Sequence, residues 1–181
     1  MNERGVQLPI VLMGVSGCGK STIGVRLASE LGMAFIEGDE FHSKAGRIKM
    51  ASGRPLSDED RMPWLDRLGE TLALAPRSVV ACSALRRTYR DRIRDWVPDA
   101  QFVYLKGDRR VVLKRTMSRS HDFMPVELLG SQYSVLEPPQ PDEAAFTVAV
   151  GVGPDRVVRT ILERLGHLGP GTIPQSPAVD S

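Results

Sequence analysis

Cysteine is nearly absent from this chain: Cys18 and Cys82 are the only two among 181 residues. Two thiols cannot build a disulfide framework, and their spacing matches no metal-ligand pattern. Long hydrophobic runs are missing too. The longest apolar stretches, such as residues 9–15, fall far short of the roughly 20 residues that cross a bilayer, so no membrane partner is expected. The first nine residues are polar and lack the apolar centre of a secretory signal. A cytoplasmic protein is the expectation by elimination. Lys and Arg number 24 against 22 Asp and Glu, and no block of like charge suggests a nucleic-acid partner. No internal repeat and no interdomain linker interrupts the chain. We expect a single domain over residues 8–167, with a disordered Pro/Gly/Ser-rich tail at 168–181.

What is present alternates regularly. Short apolar runs at Ile10–Met13, Ala34–Glu37 and residues 79–82, 102–105 and 146–150 are separated by helical patterns. That alternation predicts an α/β fold with a parallel sheet covered on both faces. Ile23, Leu27, Ala28 and Leu31 form one helical stripe, and Val157, Ile161 and Leu165 form another. Ser57 stands three residues before Asp60, the spacing of a capping box, and predicts a helix over residues 58–75 that tolerates Pro63 in its first turns. Residues 119–125 read as a mobile connection.

The motif that carries chemistry runs from Gly14 to Ser21. Gly14, Gly19, Lys20 and Ser21 occupy every fixed position of the G-x-x-x-x-G-K-[ST] pattern, between a strand and a helix. Glycines let backbone N–H groups turn inward around phosphate oxygens, and the helix N-terminus adds a favourable dipole. Gly14, Ser16, Gly17, Cys18, Gly19 and Thr22 are therefore expected to cradle a nucleotide's phosphates. Lys20 is expected to reach the β- and γ-phosphates, and the Ser21 hydroxyl to ligate Mg²⁺. Cys18 lies inside the loop, where a small residue suffices.

A phosphate loop says nucleotide but not reaction. The Asn/Thr-Lys-x-Asp guanine signature of switch GTPases does not occur. The run 79–82 continues into Ser83 rather than a metal-holding Asp of motor type. A small-molecule kinase needs an acceptor pocket, a base and a closing segment that excludes water. Glu37-Gly38-Asp39 follows the second strand, at the carboxyl end where open sheets bind ligands. One carboxylate there can accept a hydroxyl proton and the other can organise the metal's waters. Solvated turn carboxylates are the plain alternative. Arg115 and Arg119 stand four apart on one helical face, suited to neutralising transferring phosphate charge, or simply to solvent.

The string Pro55-Leu56-x-Asp58-x-Asp60-Arg61-x-Pro63-Trp64-Leu65 strongly resembles the gluconokinases, as do His42, Lys49-Met50, Cys82-Ser83-Ala84-Leu85-Arg86-Arg87, Tyr104-Leu105-Lys106-Gly107-Asp108 and Ser131-Gln132-Tyr133. The resemblance spans residues 10–165. It implies a P-loop NTPase of nucleoside-monophosphate-kinase type, with a five-stranded parallel sheet and a lid near 119–137. It also implies a homodimer and ATP-dependent phosphorylation of the 6-hydroxyl of gluconate. Lys20, Asp39 and Arg119 become the catalytic residues, Arg115 a nucleotide arginine, and Asp39, His42, Lys49, Arg61, Ser83 and Gln132 the substrate contacts. Two positions depart from the family pattern: Gly46 replaces the usual Asn, and Asp122 replaces the usual His. The residues leave two rivals: a kinase of another hydroxy acid such as shikimate, and a nucleotide-dependent binding module without turnover.

Overall fold

The computed structural model describes residues 8–118 and 126–167. The five apolar runs are all strands: β1 (Ile10–Met13), β2 (Ala34–Glu37), β3 (Ser78–Ala81), β4 (Gln101–Lys106) and β5 (Ala145–Ala149). They pair in parallel in the order β2-β3-β1-β4-β5. The last three differ from expectation by one residue at each end. Ladder pairing, not hydropathy, sets those ends: Ser78 pairs with Ala34 and Gln101 with Ile10. The described helices are α1 (Lys20–Leu31), α2 (Lys44–Ala51), α3 (Asp58–Leu74), α4 (Arg87–Trp96), α5 (Arg109–Ser118), α6 (Val126–Val135) and α7 (Pro154–Arg164).

Alternation along the strands divides the core in two. Ile10, Leu12, Val79, Val103 and Leu105 pack against Ile23 and Leu27 of α1 and Val157 and Ile161 of α7. Val11, Met13, Val80, Phe102 and Tyr104 pack on the other face against Trp64, Leu65 and Leu68 of α3 and Ile93 of α4. Apolar residues at successive positions are therefore buried on opposite faces, which explains the unbroken runs. The capping box of α3 forms as expected: Ser57 Oγ accepts from the Asp60 N–H while the Asp60 carboxylate accepts from the Ser57 N–H. Pro63 is accommodated inside that helix. Because all five strands run the same way, the carboxyl ends of β1, β2 and β3 and their loops share one edge.

A buried ion pair supports that edge. Arg90 and Glu143 are both buried, joined by Nε–Oε2 at 2.6 Å and Nη2–Oε1 at 2.8 Å. Arg90 Nη1 also donates to the carbonyls of Ala84 and Glu137, at 3.1 Å each. Ala84 is the described non-glycine residue with positive φ, at 40°, so the pair fixes a strained turn just after β3. The Arg90 hydrogen bonds hold Glu143 down to about 2, from an ordinary 4.5. A carboxyl with a depressed folded-state value stabilises the fold above its unfolded value and loses that effect as pH falls. Thermal melts should therefore show stability dropping between pH 4.5 and 2, by about 3 kcal/mol from this group. Glu143→Gln should flatten that drop; an unchanged slope would place the acid sensitivity elsewhere.

Candidate active site

β1 leads straight into the phosphate loop, and α1 begins at Lys20 as the motif requires. Gly19 caps the helix with φ 100°, a left-handed conformation that favours glycine. Gly14 has φ 145°, and a Cβ there would stand 2.9 Å from the Leu105 carbonyl oxygen. Side chains are excluded at this point by β4, not only by the turn. The Gly14 N–H donates to the Ser83 carbonyl at 3.2 Å, tying the loop to the strained turn after β3. Cys18 is fully buried, and burial pushes its thiol up from the ordinary value. It is a packing residue of the loop.

Three donors assigned to nucleotide chemistry have partners inside the protein. Lys20 Nζ donates to the carbonyls of Gly14 and Val15, both at 3.0 Å. Ser21 Oγ donates to Glu37 Oε2 at 2.6 Å. The Ser16 N–H donates to Gln132 Oε1, also at 2.6 Å. Glu37 sits at the end of β2, and burial raises its carboxyl above the ordinary range, opposed by the Ser21 hydrogen bond. Of the two carboxylates singled out in the sequence, Glu37 is thus the one that faces the Ser21 hydroxyl.

Asp39 lies in a short 3₁₀ turn, Gly38–Phe41, that Trp64 anchors. The buried indole Nε1 donates to the Gly38 carbonyl at 2.7 Å. His42 stacks on the same ring, centroids 4.0 Å apart and planes at 21°. Its Nε2 stands 3.8 Å from Asp39 Oδ1. Burial holds His42 down to about 4, so it is neutral at pH 7. His42 therefore borders Asp39 as a neutral ring rather than as a cation.

A cavity of about 710 Å³ opens between the phosphate loop and α2. Ser16, Gly17, Gly19, Lys20, Ser21, Thr22 and Asp39 line it, as expected, together with Glu37 and Thr116. Its other wall is Lys44, Arg47, Ile48, Met50 and Ala51 of α2. Lys49, expected here, instead binds both oxygens of Asp60 at 2.8 and 2.7 Å. Arg61 also turns elsewhere, donating to Tyr89 Oη at 3.1 Å, while that hydroxyl donates to Asp58. Ser83 contributes its backbone to the loop, and Gln132 meets the Ser16 N–H of the phosphate loop rather than lining the cavity. Gly46 is buried; a Cβ there would meet Ser43 Oγ at 3.2 Å and Leu56 beyond it. Its departure from the family pattern therefore affects how α2 packs, not the cavity wall.

A second, smaller hollow of about 110 Å³ lies behind the loop, lined by Gly17, Cys18, Thr22, Arg115, Val150, Gly153 and Pro154 among others. Arg115 is thus beside the phosphate loop, as expected. Arg119 and Asp122 lie outside the described residues, as does the connection 119–125. Lys44 and Arg47 escaped the sequence reading because a cation on a short polar helix carries no sign of which cavity it faces. Glu37 was visible only as half of an undecided pair.

A parallel sheet with a glycine-rich phosphate loop after β1, a carboxylate turn after β2 and an open cavity lined by both defines a P-loop kinase. Comparison with known proteins narrows the class. The shikimate kinase family matches residues 16–132. "Probable gluconokinase" from Mus musculus is 42% identical, over 86% of this chain and 96% of its own length. "Thermosensitive gluconokinase" from Escherichia coli K12 is 45% identical, over 74% of this chain and 73% of its own. The crystal structure of a gluconokinase from Sinorhizobium meliloti superposes with a TM-score of 0.83 at 42% identity, covering 90% of this chain and 94% of that one. The chain belongs to the gluconokinase family, and its residues 16–132 carry the shikimate kinase family domain.

Proposed function

We propose that the protein transfers the γ-phosphoryl group of ATP to the 6-hydroxyl of D-gluconate, yielding 6-phospho-D-gluconate and ADP. The observation that carries this reading is the composition of the 710 Å³ cavity, which has a phosphate loop and Asp39 on one wall and two cations on the other. Gluconate has a primary hydroxyl at one end and a carboxylate at the other, so it needs a base and a cation set apart. Asp39 accepts the hydroxyl proton as oxygen attacks phosphorus and the bond to the β–γ bridging oxygen breaks. Lys20 leaves its loop carbonyls to neutralise charge on the transferring group. The smaller hollow combines apolar Val150 and Pro154 with the Arg115 guanidinium, a chemistry that suits a flat heteroaromatic base. Arg119 is assigned to the transferring phosphate by family resemblance alone.

Mg²⁺ fits the donors present. The Ser21 hydroxyl and the Glu37 carboxylate are hard oxygen ligands. Among the described residues no three or more His, Cys, Asp or Glu side chains form a metal cage. Mg²⁺ characteristically keeps several waters and takes few protein ligands. When bound with ATP it supplies Lewis-acid neutralisation of the phosphate oxygens. No described helix is long and apolar enough to cross a membrane. A cytoplasmic homodimer completes the proposal, the dimer resting on family resemblance.

The test is ADP release with gluconate, with shikimate and without acceptor. Gluconate should give the highest kcat/KM; faster turnover of shikimate would overturn the substrate assignment, and release without any acceptor would indicate a simple ATPase. The wall cations make a further prediction. Lys44→Ala should raise KM for gluconate roughly tenfold, as expected for one lost charge-assisted contact, with kcat nearly unchanged. The uncharged polyol glucitol should be used equally poorly by both chains. An unaltered KM would move carboxylate recognition to the other wall cation, Arg47, the next to test.

A further inference from the structure

Lys20 and Ser21 find their partners closer in sequence, in the loop itself and at the end of β2. Ser16 does not. Its N–H donates to Gln132 Oε1 at 2.6 Å, across 116 residues of sequence. A backbone N–H can only donate, so the amide oxygen of Gln132 must be the atom that faces it. The side chain therefore presents to the phosphate loop what a phosphate would present: an oxygen lone pair aimed at an inward-pointing N–H. A partly buried N–H left without a partner is costly, so this oxygen also keeps the loop in its binding shape while no phosphate is there. A single N–H cannot bond both oxygens at full strength.

We propose that Gln132 is a positioning residue whose amide oxygen holds the place of a phosphate oxygen at the Ser16 N–H and is displaced when nucleotide enters. Gln132 then lowers nucleotide affinity in exchange for a preformed loop, and it ties α6 to the occupancy of the phosphate site. Gln132 acts on the nucleotide side, distinct from the acceptor contact that family resemblance suggested. The inference rests on the nucleotide reading of the loop and is independent of which acceptor is phosphorylated.

Calorimetric titration of the full chain with ATP, ADP and adenosine tests it, using the native protein, Gln132→Met and Gln132→Glu. Methionine keeps the length and removes the strong acceptor. It should tighten ATP and ADP roughly two- to tenfold, the scale of one net neutral hydrogen bond. Glutamate keeps the bond to Ser16 and adds a negative charge where phosphate must sit. It should weaken ATP and ADP by about tenfold or more. Adenosine, which carries no phosphate, should bind all three chains alike. Opposite shifts from two substitutions at one residue, confined to phosphorylated ligands, are not what a merely structural role produces. The proposal is overturned if methionine weakens ATP, if both variants shift affinity in the same direction or not at all, or if adenosine shifts as much as ADP. Gln132→Leu replaces the methionine variant should that chain not fold. A native chain that binds neither ATP nor ADP sinks the nucleotide reading itself, a result separate from any of these.

Discussion

Lys20→Ala is expected to lower kcat by about 10²–10³, the loss of roughly 3–4 kcal/mol of transition-state stabilisation typical of one preorganised electrostatic contact. The ammonium sits 3.0 Å from the carbonyls of Gly14 and Val15, within the same loop that will hold the phosphates. Moving from carbonyl oxygens to developing phosphate charge requires a side-chain rotation, not a change of fold. The gain is greatest when charge builds on the equatorial oxygens, so kcat should suffer more than ATP affinity. Stability should change little, because the two bonds lost are local and only part-buried. Steady-state kinetics alongside a thermal melt checks both halves. Turnover near the native rate in a folded Lys20→Ala chain would remove the phosphate-loop assignment.

The second large effect concerns Asp39. Its carboxylate is mostly exposed to the cavity and 3.8 Å from the neutral ring of His42, so it is free to approach a substrate hydroxyl. Asp39→Asn keeps the shape but cannot accept a proton, and general-base catalysis contributes about 10²–10⁴ in rate. We expect kcat to fall by that order with the Kd for ATP unchanged. Glu37→Gln should do the opposite. That side chain faces the Ser21 hydroxyl, so its loss should weaken magnesium-dependent ATP binding first. Measuring kcat and ATP affinity in both variants separates the roles. If Asp39→Asn weakens ATP and Glu37→Gln slows transfer alone, the two carboxylates must exchange assignments.

Most of the scaffold was legible before any coordinates. Gly14 through Ser21 announced a strand-loop-helix phosphate site, and the helix does begin at Lys20. Ser57 and Asp60 announced the start of α3, and the capping box forms between them. The two helical stripes pack where their periodicity pointed, with Leu27, Val157 and Ile161 all in one core. Family resemblance named Asp39, which lines the cavity, but also side chains that turn elsewhere. Lys49 is conspicuous in the motif, yet Asp60 takes its charge. His42 is conspicuous too, yet burial against Trp64 leaves it neutral.

The sequence by itself determined the order of elements, the phosphate loop, its strand and helix, and the reaction class. Those depend on neighbours along the chain: glycine spacing sets what φ is allowed, apolar periodicity sets the element, and a cap needs partners three residues apart. Only the tertiary structure decided which charges face the cavity. Lys44 and Arg47 do, Lys49 does not, and Gln132 reaches the Ser16 N–H across the fold. The reason is physical. Burial sets whether His42 carries a charge, and long-range juxtaposition sets which donor meets which acceptor; neither quantity is a property of a residue and its sequence neighbours alone.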